Sequence, residues 1–247
     1  MNKLLKLAGV AAIASTALIG AAQAEDREFS WSITVGGTSD YIFRGLSLTT
    51  EDPAAQGSVD MSYGIFYAGA WASNVDGPGY EPIELDLYAG IKPTLGQFTF
   101  DLGLIGYVYP SADDAANYYE FKAGVSTEIV SKLTGGVTFY YVPDQDNSPE
   151  VWTVEGTLAY ALPQMHIFAP TISGTLGYTE ADTVGWFSVV DDGYMYWNAG
   201  VSLGVEKLVF DFRYWDTDLN QSVGGVADIY GGLSDQRFVF SVKATLP

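Results

Sequence analysis

Hydrophobic and polar residues alternate with a period of two from Phe29 to Arg44. The odd positions read Phe29, Trp31, Ile33, Val35, Gly37, Ser39, Tyr41 and Phe43; the even ones read Ser30, Ser32, Thr34, Gly36, Thr38, Asp40, Ile42 and Arg44. Successive side chains of a strand point to opposite faces, so this pattern predicts a strand with one apolar face, aromatic at both ends, and one polar face. At ~3.3 Å per residue and a ~45° tilt, the stretch from Trp31 to Tyr41 covers about 23 Å. That is close to the ~25 Å apolar band between the aromatic girdles of an outer-membrane barrel.

The alternation recurs to the end of the chain. It predicts strands near Ala55–Tyr63, Phe66–Asn74, Ile83–Ile91, Phe98–Val108 and Tyr118–Thr127. Further strands fall near Leu133–Tyr141, Trp152–Tyr160, Thr171–Tyr178, Tyr194–Val205, Leu208–Tyr214 and Arg237–Leu246. Phe66–Asn74 is the least regular, being largely apolar on both faces. With the first strand the count is about 12, an even number as bacterial barrels have.

The connections carry a second pattern. With the N-terminus on the periplasmic side, the outer loops are 46–53, 74–81, 110–117, 143–150, 179–193 and 215–236. They hold 17 of the 30 acids and not one Lys or Arg, whereas the intervening turns hold Lys92, Lys132 and Lys207. A secreted β-sandwich also alternates, but its outer face needs more charge; here the charges lie in loops or on the polar face. The predicted fold is a single transmembrane antiparallel β-barrel, all-β, with long outer loops and short periplasmic turns.

Composition narrows the chemistry. Charged residues make up only 17% of the 247, against about 25% in soluble domains. Acids outnumber bases 30 to 11, for a net charge of −19 and a pI near 4.1, which argues against a nucleic-acid partner. Without cysteine there is no disulfide, zinc–thiolate site or thiol nucleophile. Lys3 and Lys6, the apolar run Val10 to Ala22 and the sequence Ala22-Gln23-Ala24 read as a cleaved signal peptide. The run is short of the ~20 residues of a membrane anchor. Residues 1–24 are therefore expected to be a signal peptide and 25–247 the barrel.

One stretch is more distinctive. Ser39-Asp40-Tyr41-Ile42-Phe43-Arg44-Gly45-Leu46-Ser47 leads into Pro53-Ala54-Ala55-Gln56-Gly57. Then come Tyr63-Gly64-Ile65-Phe66-Tyr67-Ala68-Gly69-Ala70-Trp71-Ala72-Ser73-Asn74-Val75 and Glu84-Leu85-Asp86-Leu87-Tyr88-Ala89-Gly90. This string resembles the TorF-type porin family of Gram-negative bacteria, specifically over residues 39–90 and more loosely beyond. The resemblance implies an outer-membrane barrel of porin type, with no assigned substrate and no catalytic residues. The chain ends Thr245-Leu246-Pro247 where outer-membrane barrels commonly end on an aromatic, although Phe238 and Phe240 keep the outward stripe of the last strand.

Among candidate chemical groups, His166 is the lone histidine. It falls in the 161–170 turn without a flanking nucleophile motif, which suits a surface residue better than a catalytic base or metal ligand. Asp144-Gln145-Asp146-Asn147-Ser148-Pro149-Glu150 starts like a calcium loop but lacks its sixth-position Gly and downstream Glu. Neither cofactor nor enzymatic activity is expected. The polar-face charges point elsewhere. Arg44, Arg213 and Arg237 are predicted at the outer ends of neighbouring strands 1, 11 and 12. Glu84, Asp86, Glu120 and Glu155 are predicted on strands 4, 6 and 8 opposite, giving basic and acidic rows across a pore constriction.

The expected inward charges are acids at 40, 60, 84, 86, 101, 120, 155 and 211 and bases at 44, 122, 213, 237 and 243. With the acidic loops, that excess favours cations at low salt. The expected function is passive diffusion of small hydrophilic solutes through a porin lying among outer-membrane lipid and lipopolysaccharide. The alternative is a non-conducting barrel whose acidic loops bind surface partners or divalent cations. Gly224-Gly225 and Gly231-Gly232 would let the 216–236 loop act as a lid.

Overall fold

The computed structural model describes residues 28–76, 82–110, 117–183, 186–187, 192–219, 222–223, 226–227 and 232–247. The expected signal peptide lies outside them. Twelve long strands run β1 Phe29–Thr38, β2 Ala54–Tyr63, β3 Phe66–Asn74, β4 Ile83–Ile91, β5 Phe98–Val108 and β6 Tyr118–Val130. They continue with β7 Leu133–Val142, β8 Val151–Ala161, β9 Ala169–Ala181, β10 Gly193–Val205, β11 Leu208–Thr217 and β12 Arg237–Leu246. Each pairs antiparallel with the next, and β1 pairs with β12 from Ile33↔Leu246 to Thr38↔Ser241, so the sheet closes on itself. Closure leaves no edge strand and satisfies the backbone within the wall, as a membrane requires.

The period of two sorts the side chains. Phe98, Leu102 and Leu104 of β5 are 41%, 47% and 44% exposed on the outer face. Asp101 and Tyr107, between and beyond them, point into the barrel. Trp31, Val59, Leu87, Phe121, Val137, Leu158, Leu176, Phe212 and Phe240 continue the exposed apolar belt around the wall. Apolar surface on this scale facing outward is the signature of a lipid-embedded wall. Tight turns at Gly64, Lys132, 162–168 and Glu206 join strands at one end; the longer, acidic connections lie at the other.

The first strand departs from expectation. The alternation predicts a strand through Arg44 with Tyr41 in the outer girdle, but β1 stops at Thr38. The chain then turns inward. Ile42–Phe43 and Leu46–Ser47 form a small hairpin, Phe43↔Leu46, turned by Arg44 and Gly45 at φ 48° and 87°. Two positive φ values make the tight turn whose twist suits a hairpin, and glycine takes the second without steric cost. Tyr41, Ile42, Leu46 and Thr49 are buried.

Candidate functional site

The lumen has two tiers. In the outer half the inward side chains are large and buried: Trp71, Tyr107, Tyr109, Tyr140, Tyr194, Tyr196 and Trp215, packed with the 41–49 segment and with Leu219 and Phe187 from later loops. In the inner half the same inward stripes carry Gly124, Ser126, Gly136, Thr157, Ser173, Thr175 and Gly200, all only half-buried. Thr153 and Glu155 are buried on β8 while Thr157 is not; Thr179 is buried on β9 while Thr175 is not. The boundary between the tiers is the inserted hairpin.

Arg44, at the tip of that hairpin, crosses to β6. Its Nη2 donates to both oxygens of Glu120 at 2.9 and 2.8 Å, with the guanidinium 4.7 Å from the Phe43 ring and 4.8 Å from the Tyr140 ring. The Tyr194 hydroxyl donates to the Arg44 carbonyl at 2.9 Å. Burial works to discharge the guanidinium, but the acids and phenols around it, Glu120 foremost, together outweigh burial and hold the Arg44 pKa above its ordinary value. Tyr41 donates to Glu84 at 2.6 Å, a bond Tyr109 doubles at 2.5 Å. The Tyr107 hydroxyl donates to Glu120 at 3.1 Å and the Tyr196 hydroxyl to Glu155 at 2.7 Å.

The other arginines hold the frame. Arg237 pairs with Asp40 at 2.9 Å and Glu51 at 3.3 Å; Asp40 also accepts from Ser47 and Thr49 at 2.6 and 3.0 Å. Arg213 pairs with Asp211 on its own strand and donates to Asn198 and Ser173. The predicted basic row facing an acidic row is therefore corrected. All seven predicted residues are in or at the lumen, but each arginine closes on its own acid, and Arg44 sits among the acids rather than opposite them. An unpaired charge in a buried, low-dielectric space is costly, so the ions meet wherever the chain lets them. In the inner tier Asp101 gathers Lys122 at 2.7 Å, Lys92 at 3.5 Å and the Tyr67 hydroxyl at 2.7 Å, while Tyr88 donates to Asp60.

Sequence reasoning missed the aromatic lining. The alternation puts Tyr41 in the lipid girdle and Trp71 on an ambiguous strand; both face the lumen, their rings 5.2 Å apart. The signal is present in Phe66–Asn74, whose two apolar faces mean one face toward lipid and one toward a filled lumen. His166 is exposed at φ 55° in the turn bridged by Met165↔Phe168. In the 144–150 loop Gln145 is bonded to the Tyr119 backbone on both sides. Among the described residues no group of three His, Cys, Asp or Glu converges for a metal ion. Gly224, Gly225 and Gly231 of the expected lid lie outside the described residues. The near end of that loop braces the hairpin, Ser47 N–H donating to the Leu233 carbonyl at 2.9 Å.

The family model described as "Bacterial protein of unknown function (Gcw_chp)" matches residues 22–246. The chain belongs to the Gcw_chp family. That description assigns no activity to Gcw_chp proteins and does not carry the TorF designation. None of the curated proteins matches this Gcw_chp chain by sequence. Among solved structures it is similar to the KdgM porin, at 10% identity and a TM-score of 0.58, over 87% of this chain and 99% of that one. The NanC porin gives 11% identity and 0.58, over 88% and 100%. A KdgM porin in complex with disordered oligogalacturonate gives 9% and 0.59, over 87% and 99%. At such identities the likeness is one of fold: the Gcw_chp barrel has the architecture of these porins.

Proposed function

We propose that the chain is an outer-membrane channel for passive diffusion of small hydrophilic solutes, with a modest preference for cations and its constriction at the 39–53 segment. The observation that carries this reading is the inner tier. On its β6–β10 side this tier is lined by Gly, Ser and Thr, short side chains that leave the width of a twelve-stranded ring unfilled for water. The constriction consists of Arg44 with Glu120, Tyr41 with Glu84, and Glu155 with Tyr196; Asp86 lies beside them, and Arg213 and Arg237 fix the walls. Its mechanism is diffusion biased by charge, with no bond made or broken. The likeness to porins supports the reading as a fold. A polyanion such as the oligogalacturonate in complex with one KdgM porin is a poor match for this acidic lumen and these acidic loops.

Single-channel recording on refolded protein tests it. Wild type should give small, steady openings, and a variant with residues 41–48 replaced by a Gly-Ser linker should conduct several-fold more. Silence from both folded proteins overturns the channel. The filled outer tier favours a second reading, a closed barrel whose acidic loops bind divalent cations or surface partners. Silence combined with calcium-dependent binding to lipopolysaccharide would select it.

A further inference from the structure

Arg44 is a cation lodged in a cage. Its guanidinium lies over the Phe43 and Tyr140 rings and both oxygens of Glu120 accept from it. Ring faces and a carboxylate together are the chemistry that recognises guanidinium and ammonium groups. The surroundings are more acidic than Arg44 alone neutralises. Glu84 and Asp86 are 1% and 8% exposed, and neither forms an ion pair among the described residues.

Asp86 is the telling group. Glu84 is satisfied by two phenols, but Oδ1 of Asp86 has no hydrogen-bond partner among the described residues. Nor has the indole Nε1 of Trp71, the register partner of Asp86 on β3. On the other side Asp86 is in register with Tyr107, whose hydroxyl donates to Glu120 and whose ring lies 6.0 Å from Phe43. The open acceptor is thus continuous with the cage. A buried carboxyl oxygen without a donor, beside a second buried carboxyl outside any ion pair, is where a cationic donor gains most.

We propose that this acid-and-aromatic cage recognises small solutes bearing a guanidinium or ammonium group, with Arg44 as the resident occupant that such a solute displaces, using the open acceptor of Asp86. This rests on the channel reading for its role in transport and names the solute class; binding at the cage does not depend on conduction.

The probe is methylguanidinium chloride, with neutral N-methylurea as control, titrated calorimetrically into the refolded full chain in detergent. Arg44→Asn vacates the cage with a residue suited to positive φ; Arg44→Gly serves if the first variant loses heat-modifiable folding. The vacated barrel should bind methylguanidinium at least 10-fold more tightly than wild type and ignore N-methylurea. Adding Glu120→Gln should remove at least 10-fold of that affinity, and Asp86→Asn several-fold. Folded Arg44→Asn or Arg44→Gly protein that binds no better than wild type, or binding indifferent to Glu120→Gln, overturns the cage. In planar bilayers, methylguanidinium should lower the conductance of the vacated variant. Binding with a silent bilayer keeps the cage and removes the channel. Current without binding keeps the channel and removes the cage.

Discussion

At the scale of single residues, the lumen is organised by tyrosines laid against glycines. A Cβ on Gly177 would run into the Tyr196 ring, and one on Gly69 into the Tyr88 ring. The missing side chains therefore let the phenols lie against the wall, where Tyr196 meets Glu155 and Tyr88 meets Asp60. Gly177→Ala should cost about 1–3 kcal/mol of unfolding free energy through overpacking, measured by urea titration of the folded barrel. Gly106→Ala has room, its nearest neighbour being an ordinary contact at 3.8 Å, and should leave the titration unchanged. Equal losses in both variants would show that the phenol–glycine fit does not set stability.

At the scale of elements, the twelve strands were legible because one physical rule, lipid on one face and a polar lumen on the other, acts on every strand alike. Phe66–Asn74, Ile83–Ile91, Phe98–Val108 and Arg237–Leu246 are found with the expected bounds. The inserted hairpin was not legible, because its two-residue arms continue the same alternation. Its one trace was Ile42, an apolar residue in the polar stripe of the first strand, followed by Arg44-Gly45 as a turn. The arginine–acid partners were hidden for another reason: strand direction gives a charge its height in the barrel but not the acid it reaches across the lumen. Asp40 ties this element down through Ser47, Thr49 and Arg237. Asp40→Ala should leave the barrel folded and make residues 39–53 about 10-fold more sensitive to protease added outside liposomes. Unchanged cleavage would mean that the packed aromatics alone retain the hairpin.

At the scale of the molecule, an apolar belt outside and an acidic excess inside and at the loop end have separate consequences. Leu102→Arg, near the middle of β5 on the lipid face, should cost about 2–4 kcal/mol, and Leu95→Arg, in the two-residue strand Thr94–Leu95 at the short-connection end, under about 1 kcal/mol. Refolding titrations in lipid vesicles would show the contrast; equal costs would misplace the belt. The reversal potential in a salt gradient should point toward cations at low salt and fade near 1 M, where the screening length is ~3 Å. The segment that fills the outer lumen leaves the wall directly after β1, and β1 is one side of the closing seam. The Asp40–Arg237 pair and the bonds from Ser39 N–H to the Phe240 carbonyl and from Phe240 N–H to the Ser39 hydroxyl span the last strand and the start of that segment. The filler is therefore hinged on the door jamb: it can swing inward while the cylinder is still an open curved sheet, and the same contacts that shut the cylinder lock it in. Sealing the wall and narrowing the bore become one event in assembly, so a barrel that has closed correctly already carries its constriction.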